Sequence, residues 1–182
     1  MTIGRFSVYK CHFRENVAQH SYFVGVYSMI LADLEMSNGV NVNVERLLRM
    51  ALLHDVEEAR TGDVHHPFKH QDEKFAKALN LKAMEWYRNL MMGIPESQAR
   101  MYVDLREASE GGTVEATIVK AADKIEALLW AYEEYLLGNE LVRQAKVVED
   151  ILSKLDRIEL LSVKAILSEI RQNIEAMNAP HK

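Results

Sequence analysis

Three ionisable side chains, His54, Asp55 and Glu58, lie in a short and partly apolar stretch that runs from Leu52 to Asp63. On a helix, residues three and four positions apart share one side, so these groups can converge. Burying them without partners would cost several kcal/mol. A metal ion removes that cost, because an imidazole and a carboxylate can bind it while a second carboxylate acts on its bound water. The alternative is an amphipathic helix whose polar side happens to carry His and Asp.

Two further ionisable residues have the spacing of core positions in predicted helices. His20 lies three residues after Val17 and four before Val24, and Asp123 lies four residues after Val119. Taken alone, a His on an apolar helix face is more often a core histidine that is bonded to a neighbour. The interpretation therefore depends on whether several such residues can meet.

His20, His54, Asp55 and Asp123 together form a candidate metal site with two imidazoles and two carboxylates. This mixed and fairly hard set of donors suits one divalent ion, Mn, Co, Fe, Mg or Zn, and leaves positions for water and substrate. It does not resemble the closed tetrahedral sites that serve structure alone.

The elements that must position these residues are predicted to be helices. The predicted helices run from Asn16 to about Met36, from Val44 to about Ala59, from Asp72 to Met92, from Pro95 to about Glu110 and from Thr113 to Leu137, followed by an almost continuous helical region from Glu140 to Met177. The core candidates of the third helix are Phe75, Leu79, Met84, Tyr87 and Met91. The segment Leu160-Leu161-Ser162 indicates a bend or a break, residues 1–15 form an irregular or short helical entry, and residues 61–71 form a loop.

The composition favours a compact all-α helical bundle. Apolar residues make up 48% of the 182 residues, with 3 Pro and 8 Gly, and the length predicts a single domain over residues 1–182. Cys11 is the only cysteine, which excludes a disulfide framework and a cysteine-based zinc site within one chain.

The charge pattern also narrows the range of partners. The net charge is -5, from 22 basic and 27 acidic residues without a polybasic run, which argues against a groove for a nucleic-acid polymer. No apolar run approaches the ~20 residues of a membrane span and no signal peptide is recognisable, so we expect a soluble, cytoplasmic protein without a membrane partner.

The order of the motifs resembles that of the HD-domain metal-dependent phosphohydrolases: a His, then a His-Asp pair, then a distant Asp. Four segments are more closely similar to the YfbR-like 5'-deoxynucleotidases, namely Glu15–Ser21, His54–Glu58, Thr61–Asp63 and Ala122–Asp123. The resemblance covers residues 5 to about 140. The helical region from about 140 to 178 carries no such motif.

The resemblance implies one divalent metal ion held by the four residues of the candidate metal site, and it implies roles for other residues. Glu58 and Asp63 would act on the water and the phosphate ester, and Arg5 would contact the phosphate. Better-known members carry a Trp after that Arg, which crowds the 2' position of the sugar. Here the residue is Phe6, which predicts an incomplete preference for deoxyribose. Lys69 is a weaker candidate for phosphate binding.

The predicted activity is hydrolysis of (deoxy)ribonucleoside 5'-monophosphates to nucleoside and phosphate. A phosphate monoester resists attack by water because of its own negative charge, which a divalent ion neutralises. Glu58 can accept or orient the proton of the water and Asp63 can serve the leaving group, although the sequence does not settle which carboxylate is base and which is acid. The alternatives are an HD-type phosphodiesterase, a guanosine tetraphosphate hydrolase, or a non-enzymatic nucleotide-binding module.

The sequence also contains several weaker signals. His65, His66 and His70 could extend the site to a second metal, although their loop setting favours solvated histidines, and Glu107 could reach the site from the fourth helix. The region after Glu140 has apolar positions on more than one side, which predicts a homodimer. Members of the family are commonly dimeric, and the resemblance therefore implies the same.

Overall fold

A computed structural model describes residues 10–62 and 72–178 of the 182-residue chain. Within these ranges the backbone forms helices joined by turns, without a β-strand. The helices are α1 (Val17–Ser37), α2 (Val44–Leu53), α3 (Glu58–Thr61), α4 (Glu73–Leu90), α5 (Glu96–Ser109), α6 (Val114–Leu136), α7 (Glu140–Gln144), α8 (Val147–Leu155) and α9 (Leu161–Asn178). The predicted all-α fold class is confirmed.

Helix α1 begins where the sequence predicts, because Asn16 and Gln19 form a capping box. Asn16 Oδ1 accepts hydrogen bonds from the N–H groups of Ala18 and Gln19 at 3.0 and 3.1 Å. Gln19 Oε1 accepts one from the N–H of Asn16 at 3.1 Å. These bonds satisfy N–H groups that have no partner within the helix. They therefore fix the first turn, in which His20 lies.

Helices α1, α2 and α6 pack against one another in the hydrophobic core. The fully buried side chains include Val24 and Leu31 of α1, Leu47 and Met50 of α2, and Leu128 of α6. Full burial of one such side chain contributes about 1.5 to 3 kcal/mol, so these contacts hold the three helices firmly against each other. The predicted metal ligands lie on α1, on α6 and directly after α2.

The second predicted helix is wrong at its C-terminal end, because α2 ends at Leu53 and does not continue to Ala59. The N–H of Glu58 bonds to the carbonyl of Asp55 at 3.0 Å, a spacing of three residues where an α-helix has four. On a continuous helix, neighbouring side chains point about 100° apart. In the turn that replaces it, His54 Nε2 and Asp55 Oδ2 lie 3.2 Å apart.

Helix α4 matches its predicted bounds closely but fully buries only one of the five predicted core residues. Of the five core candidates on this helix, Tyr87 is fully buried, whereas Phe75 is 40% exposed. Leu79, Met84 and Met91 are partly buried. The physical reason is that α4 packs against α3 and α5, outside the group formed by α1, α2 and α6. The spacing of apolar residues predicts which side of a helix faces inward, but not how much covers it.

The region that begins at Glu140 consists of three separate helices, whereas the sequence predicted an almost continuous helical region. Lys146 separates α7 from α8 and has a φ of 51°, in the left-handed region. Helix α9 begins at Leu161, at the predicted break. Glu35 of α1 stabilises the first turn of α9, because Glu35 Oε1 accepts hydrogen bonds from the N–H and Oγ of Ser162 at 2.8 and 2.7 Å. Leu161 is exposed, whereas the other large apolar side chains described on α9 are buried or partly buried.

Helix α1 is apolar on its outer side as well as on its inner side. The large apolar side chains exposed there, which we call the outer α1 face, are Tyr22, Phe23, Met29, Ile30, Leu34 and Met36. At about 100° per residue they lie on one side of the helix, where Asp33 is the one charged residue of α1. A helix that is apolar all round is typical of a buried position. None of the helices in the described ranges is long and apolar enough to cross a membrane.

Candidate metal centre

The fold brings the four predicted metal ligands together. His20 Nε2 lies 3.2 Å from His54 Nε2 and 3.4 Å from Asp55 Oδ2. It also lies 3.3 Å from Asp123 Oδ1, and His54 Nε2 lies 3.2 Å from Asp55 Oδ2. Metal–ligand bonds of about 2.0 to 2.2 Å place neighbouring ligand atoms about 2.8 to 3.6 Å apart in octahedral or tetrahedral sites. His20, His54 and Asp123 offer ligand atoms that all lie within 4.8 Å of one another, and Asp55 Oδ2 adjoins the two imidazoles, so this group could hold a metal ion.

Both imidazoles direct Nε2 toward this cluster because their Nδ1 atoms have other partners. His20 Nδ1 lies 2.6 Å from Glu126 Oε2, and His54 Nδ1 lies 2.8 Å from the carbonyl oxygen of Ala51. An oxygen at this position accepts a proton from Nδ1, and when the ring is neutral this leaves the lone pair on Nε2. Two imidazole lone pairs and two carboxylates then face one another. A cation stabilises such a group of acceptors.

The electrostatics of the site keep the two carboxylates charged. Burial raises the pKa of Asp123, but hydrogen bonding and charge from His20, together with the charge of His54, lower it to about 2. Burial also raises the pKa of Asp55, and the same two imidazoles hold it well below its usual value. Burial lowers the pKa of His54, but Asp55 outweighs this effect and the pKa is raised. The positive charge behind these shifts is charge that a bound cation would supply instead.

A second group of possible ligands, Glu15, His20 and Glu126, adjoins the first, and its ligand atoms lie within 4.8 Å of one another. The two groups share His20, whose Nε2 faces the first and whose Nδ1 faces Glu126. The side chain of His20 is fully buried and that of Glu126 is 5% exposed. Glu126 therefore supports a ligand of the first group from the side opposite the donor atoms.

A cleft of about 290 Å³ opens beside Asp55, one of the four candidate ligands. Its lining includes Asp55 and Glu58 from the turn and α3, Leu79, Ala83 and Met84 from α4, and Arg106 and Glu107 from α5. Pockets for small molecules span about 300 to 1,000 Å³, so the described part of this cleft has the size of a small one. Glu58, the predicted catalytic residue, thus shares a cleft with the predicted ligand Asp55.

A buried ion pair joins α5 to the turn that carries Asp55. Arg106 donates from Nε and Nη2 to Glu57 Oε1, from Nε at 2.9 Å. Its Nη1 donates to Ser109 Oγ at 3.3 Å and to Glu110 Oε1 at 3.0 Å. Burial lowers the pKa of Arg106, but the bond to Glu57 raises it above its ordinary value. The side chains of Arg106 and Glu57 are 12% and 5% exposed, so the pair is largely shielded from water.

The structure does not describe every predicted site residue. Arg5, Phe6, Asp63 and Lys69 lie outside the described ranges, as do His65, His66 and His70. Glu107 lines the cleft together with Glu58, and its approach to the metal site stays a prediction. The sequence analysis missed Glu126 and Arg106. Glu126 follows Asp123 by three residues, a spacing that places both on one side of α6, whereas Arg106 carries no local signal.

Comparison with known proteins identifies relatives along almost the whole chain. A family model described as 5'-deoxynucleotidase YfbR-like matches residues 1–174. The 5'-deoxynucleotidase YfbR of an Escherichia coli O127:H6 strain is 32% identical over 133 residues, which cover 72% of this chain and 67% of that protein. The enzyme of the same name from Shigella boydii is 30% identical over 145 residues, which cover 79% and 73%.

Solved structures share the fold. An HD-domain phosphohydrolase from Listeria innocua superposes with a TM-score of 0.85 at 26% identity, covering 96% of this chain and 83% of that chain. The HD phosphohydrolase DatZ of cyanophage S-2L, bound to dA and one catalytic Zn²⁺ ion, superposes with a TM-score of 0.60 at 20% identity, covering 96% and 91%, a likeness that concerns the fold alone. The chain is a metal-dependent nucleotide phosphohydrolase, and it belongs to the YfbR-like 5'-deoxynucleotidase family.

Proposed function

We propose that this protein hydrolyses (deoxy)ribonucleoside 5'-monophosphates to nucleoside and phosphate, with one divalent metal ion bound by His20, His54, Asp55 and Asp123. The observation that carries the proposal is the convergence of His20 Nε2 with the donor atoms of the other three at 3.2 to 3.4 Å. Family membership supports the nucleotide substrate.

The donor set suits Mn, Co, Mg, Fe or Zn, because imidazole and carboxylate are acceptable to all of them. When bound, the ion lowers the pKa of a water molecule and neutralises charge on the phosphoryl oxygens. The two outer partners of the imidazoles, the Glu126 carboxylate and the Ala51 carbonyl, hold the rings in the orientation that binding requires.

The residues of the chain would then divide the remaining tasks. Glu58, on the wall of the cleft beside Asp55, orients the attacking water or accepts its proton. Asp63 serves the leaving oxygen, and Arg5 holds the phosphate through its two parallel N–H groups, with Lys69 as an additional cation. Phe6 packs against the sugar. These roles follow from the family resemblance and from the chemistry of each side chain.

We also propose that the protein is a homodimer and that its outer α1 face is the contact between two copies. The face is large, apolar and rich in aromatic residues, with Tyr22 62% exposed and Phe23 43% exposed. Aromatic side chains are enriched in interfaces, whereas charged ones are depleted in their centres. A two-fold axis pairs the same face of both copies. An apolar face on which Asp33 is the one charged residue of α1 can therefore pack against a second copy of itself. Because its proposed substrates are cellular nucleotides, we place the enzyme in the cytoplasm.

The experiment that tests the proposed activity is a panel of substrates assayed with and without Mn²⁺ or Co²⁺. The panel contains 2'-deoxy- and ribonucleoside 5'-monophosphates, phosphodiesters and guanosine tetraphosphate. We expect metal-dependent phosphate release from the monophosphates alone. Cleavage of the diesters or of the tetraphosphate would favour the other HD enzymes, and nucleotide binding without turnover would indicate a binding module.

A further inference from the structure

The imidazole of His20 lies between two carboxylates that come from one turn of α6. Asp123 Oδ1 is 3.3 Å from Nε2, and Glu126 Oε2 is 2.6 Å from Nδ1. Residues three positions apart share one side of a helix, so one helix contacts both nitrogens of the ring. Only Asp123 belongs to the group of four proposed ligands.

The outer partners of the two imidazoles differ in kind. His54 Nδ1 faces a neutral backbone carbonyl, that of Ala51, at 2.8 Å, whereas His20 Nδ1 faces a carboxylate at a shorter distance. Hydrogen bonds to carboxylates are shorter and about twice as strong as those between neutral groups. A carboxylate behind an imidazole also makes the opposite nitrogen a better metal donor. His20 is thus the better supported of the two imidazoles.

Burial makes this contact selective for one proton position. With His20 fully buried and Glu126 5% exposed, water does not compete freely for Nδ1 or for the carboxylate. A proton moved from Nδ1 to Nε2 would leave Glu126 facing a lone pair and would place a proton among the proposed ligand atoms. The first change loses the hydrogen bond to Glu126 and the second blocks metal binding at Nε2, so the contact with Glu126 favours the proton on Nδ1.

We infer that Glu126 is a positioning residue that holds His20 with Nδ1 protonated and thereby tightens metal binding at the site. The inference rests on the proposed metal site. It concerns affinity for the ion rather than contact with the substrate, because Glu126 acts through His20.

The test compares Glu126→Gln and Glu126→Leu with the unaltered protein, and measures the Kd for Co²⁺ and Zn²⁺ by competition with a chelator. Loss of an outer partner typically weakens metal binding about 10- to 100-fold. We expect that loss for Glu126→Leu and a smaller one for Glu126→Gln, which keeps an acceptor oxygen but not the charge. The ¹⁵N resonances of the His20 ring should report Nδ1 protonation in the unaltered protein and a changed tautomer balance in Glu126→Leu.

A matched control separates this role from a general loss of stability. Glu134 lies on the same helix and is 1% exposed, and it is hydrogen-bonded to Asn139 and to the N–H of Phe13. Glu134→Gln should therefore lower the melting temperature and leave the metal Kd unchanged.

The inference is wrong if Glu126→Gln folds, alone or together with Glu126→Leu, and every folded variant binds metal with the Kd of the unaltered protein. The proposed metal site would stand in that case. If the unaltered protein binds no metal, the proposed function fails first.

Discussion

The Nε2 atoms of His20 and His54 lie 3.2 Å apart, although each ring directs its Nδ1 toward a different acceptor. Two imidazole nitrogens at this distance repel unless a proton or a cation lies between them, and the neighbouring carboxylates of Asp55 and Asp123 add further acceptors. A bound metal ion would supply that positive charge.

Replacing Asp123 with Ala should abolish both metal binding and activity, because the side chain is one of the four proposed metal ligands and lies 3.3 Å from His20 Nε2. Elemental analysis of the purified variant measures the first effect and phosphate release the second. Asp104→Ala, which alters an exposed carboxylate on α5, serves as the control. Stoichiometric metal in Asp123→Ala would show that the ligand assignment is wrong.

Removal of the metal should lower the melting temperature, because the site joins α1, α6 and the turn after α2. At a free metal concentration about 100 times the Kd, binding to the native state adds about 2.7 kcal/mol to the free energy of unfolding. For a domain of this size that raises the melting temperature by about 5 to 10 °C. Thermal unfolding with and without a chelator measures the difference. An Asp123→Ala protein whose melting temperature still responds to the chelator would contradict this explanation.

Arg106→Met should destabilise the fold by about 3 to 5 kcal/mol, because it leaves the buried Glu57 carboxylate without its guanidinium partner. Urea denaturation measures the loss. The double variant Glu57→Gln with Arg106→Met should recover much of it, since no uncompensated charge remains. A single-variant loss below about 1 kcal/mol, the usual size for a surface pair, would show that water screens the pair.

Glu134 should make the stability of the protein depend on pH in acid. Burial raises its pKa, but hydrogen bonds from Asn139, Phe13 and His12 lower it from 4.5 to about 2. A depressed carboxyl pKa contributes stability that is complete above the unfolded value and is lost as the pH falls from about 4.5 to about 2. We expect Glu134→Gln to flatten this part of the curve when the free energy of unfolding of both proteins is measured in chelator. Parallel curves would contradict the assignment.

Phe6 should give a preference for deoxyribose that is present but incomplete. An apolar wall rejects one extra hydroxyl by about a hundredfold at most, and a phenyl ring crowds the 2' position less than an indole does. Phe6→Trp should sharpen the preference and Phe6→Ala should relax it. The measurement is kcat/KM for paired 2'-deoxy- and ribonucleoside 5'-monophosphates. Equal ratios in all three proteins would mean that Phe6 does not touch the sugar.

Ile30→Lys should convert the proposed dimer into a monomer, because it places a charge in the centre of the outer α1 face, where Ile30 is 46% exposed. Light scattering at micromolar protein measures the mass. Met92→Lys, at a residue that is 73% exposed after α4, is the control and should remain dimeric. A monomeric mass for the unaltered protein would rule out the dimer under those conditions.

Local patterns account for much of the fold. Asn16 and Thr113 mark the starts of α1 and α6 because their side chains bond to nearby N–H groups. The sequence also suggested that His20 and Asp123 share a site, since both lie on or beside the apolar sides of their helices. The helix end at Leu53 was missed, because the turn that follows is stabilised by contacts of the folded protein and not by a Pro or Gly.

The contacts between distant residues around the site were not predicted, because they form only in the folded protein. Glu57 and Arg106 are 49 residues apart, and His20 and Glu126 are 106 residues apart. No regular spacing of residues in the sequence indicates a contact between positions so far apart. The break at Lys146 was also missed, because a left-handed conformation at a Lys has no local signature.

The most direct test of the account is to titrate Mn²⁺ or Co²⁺ into protein stripped of metal and to follow phosphate release from a 2'-deoxynucleoside 5'-monophosphate. We predict no hydrolysis at the start, a rise to a plateau at one metal ion per chain, and no rise for Asp123→Ala. Glu58→Gln should bind the same single ion but turn over at least about a hundredfold more slowly. Hydrolysis by the stripped protein, or a plateau that Asp123→Ala also reaches, would contradict the account.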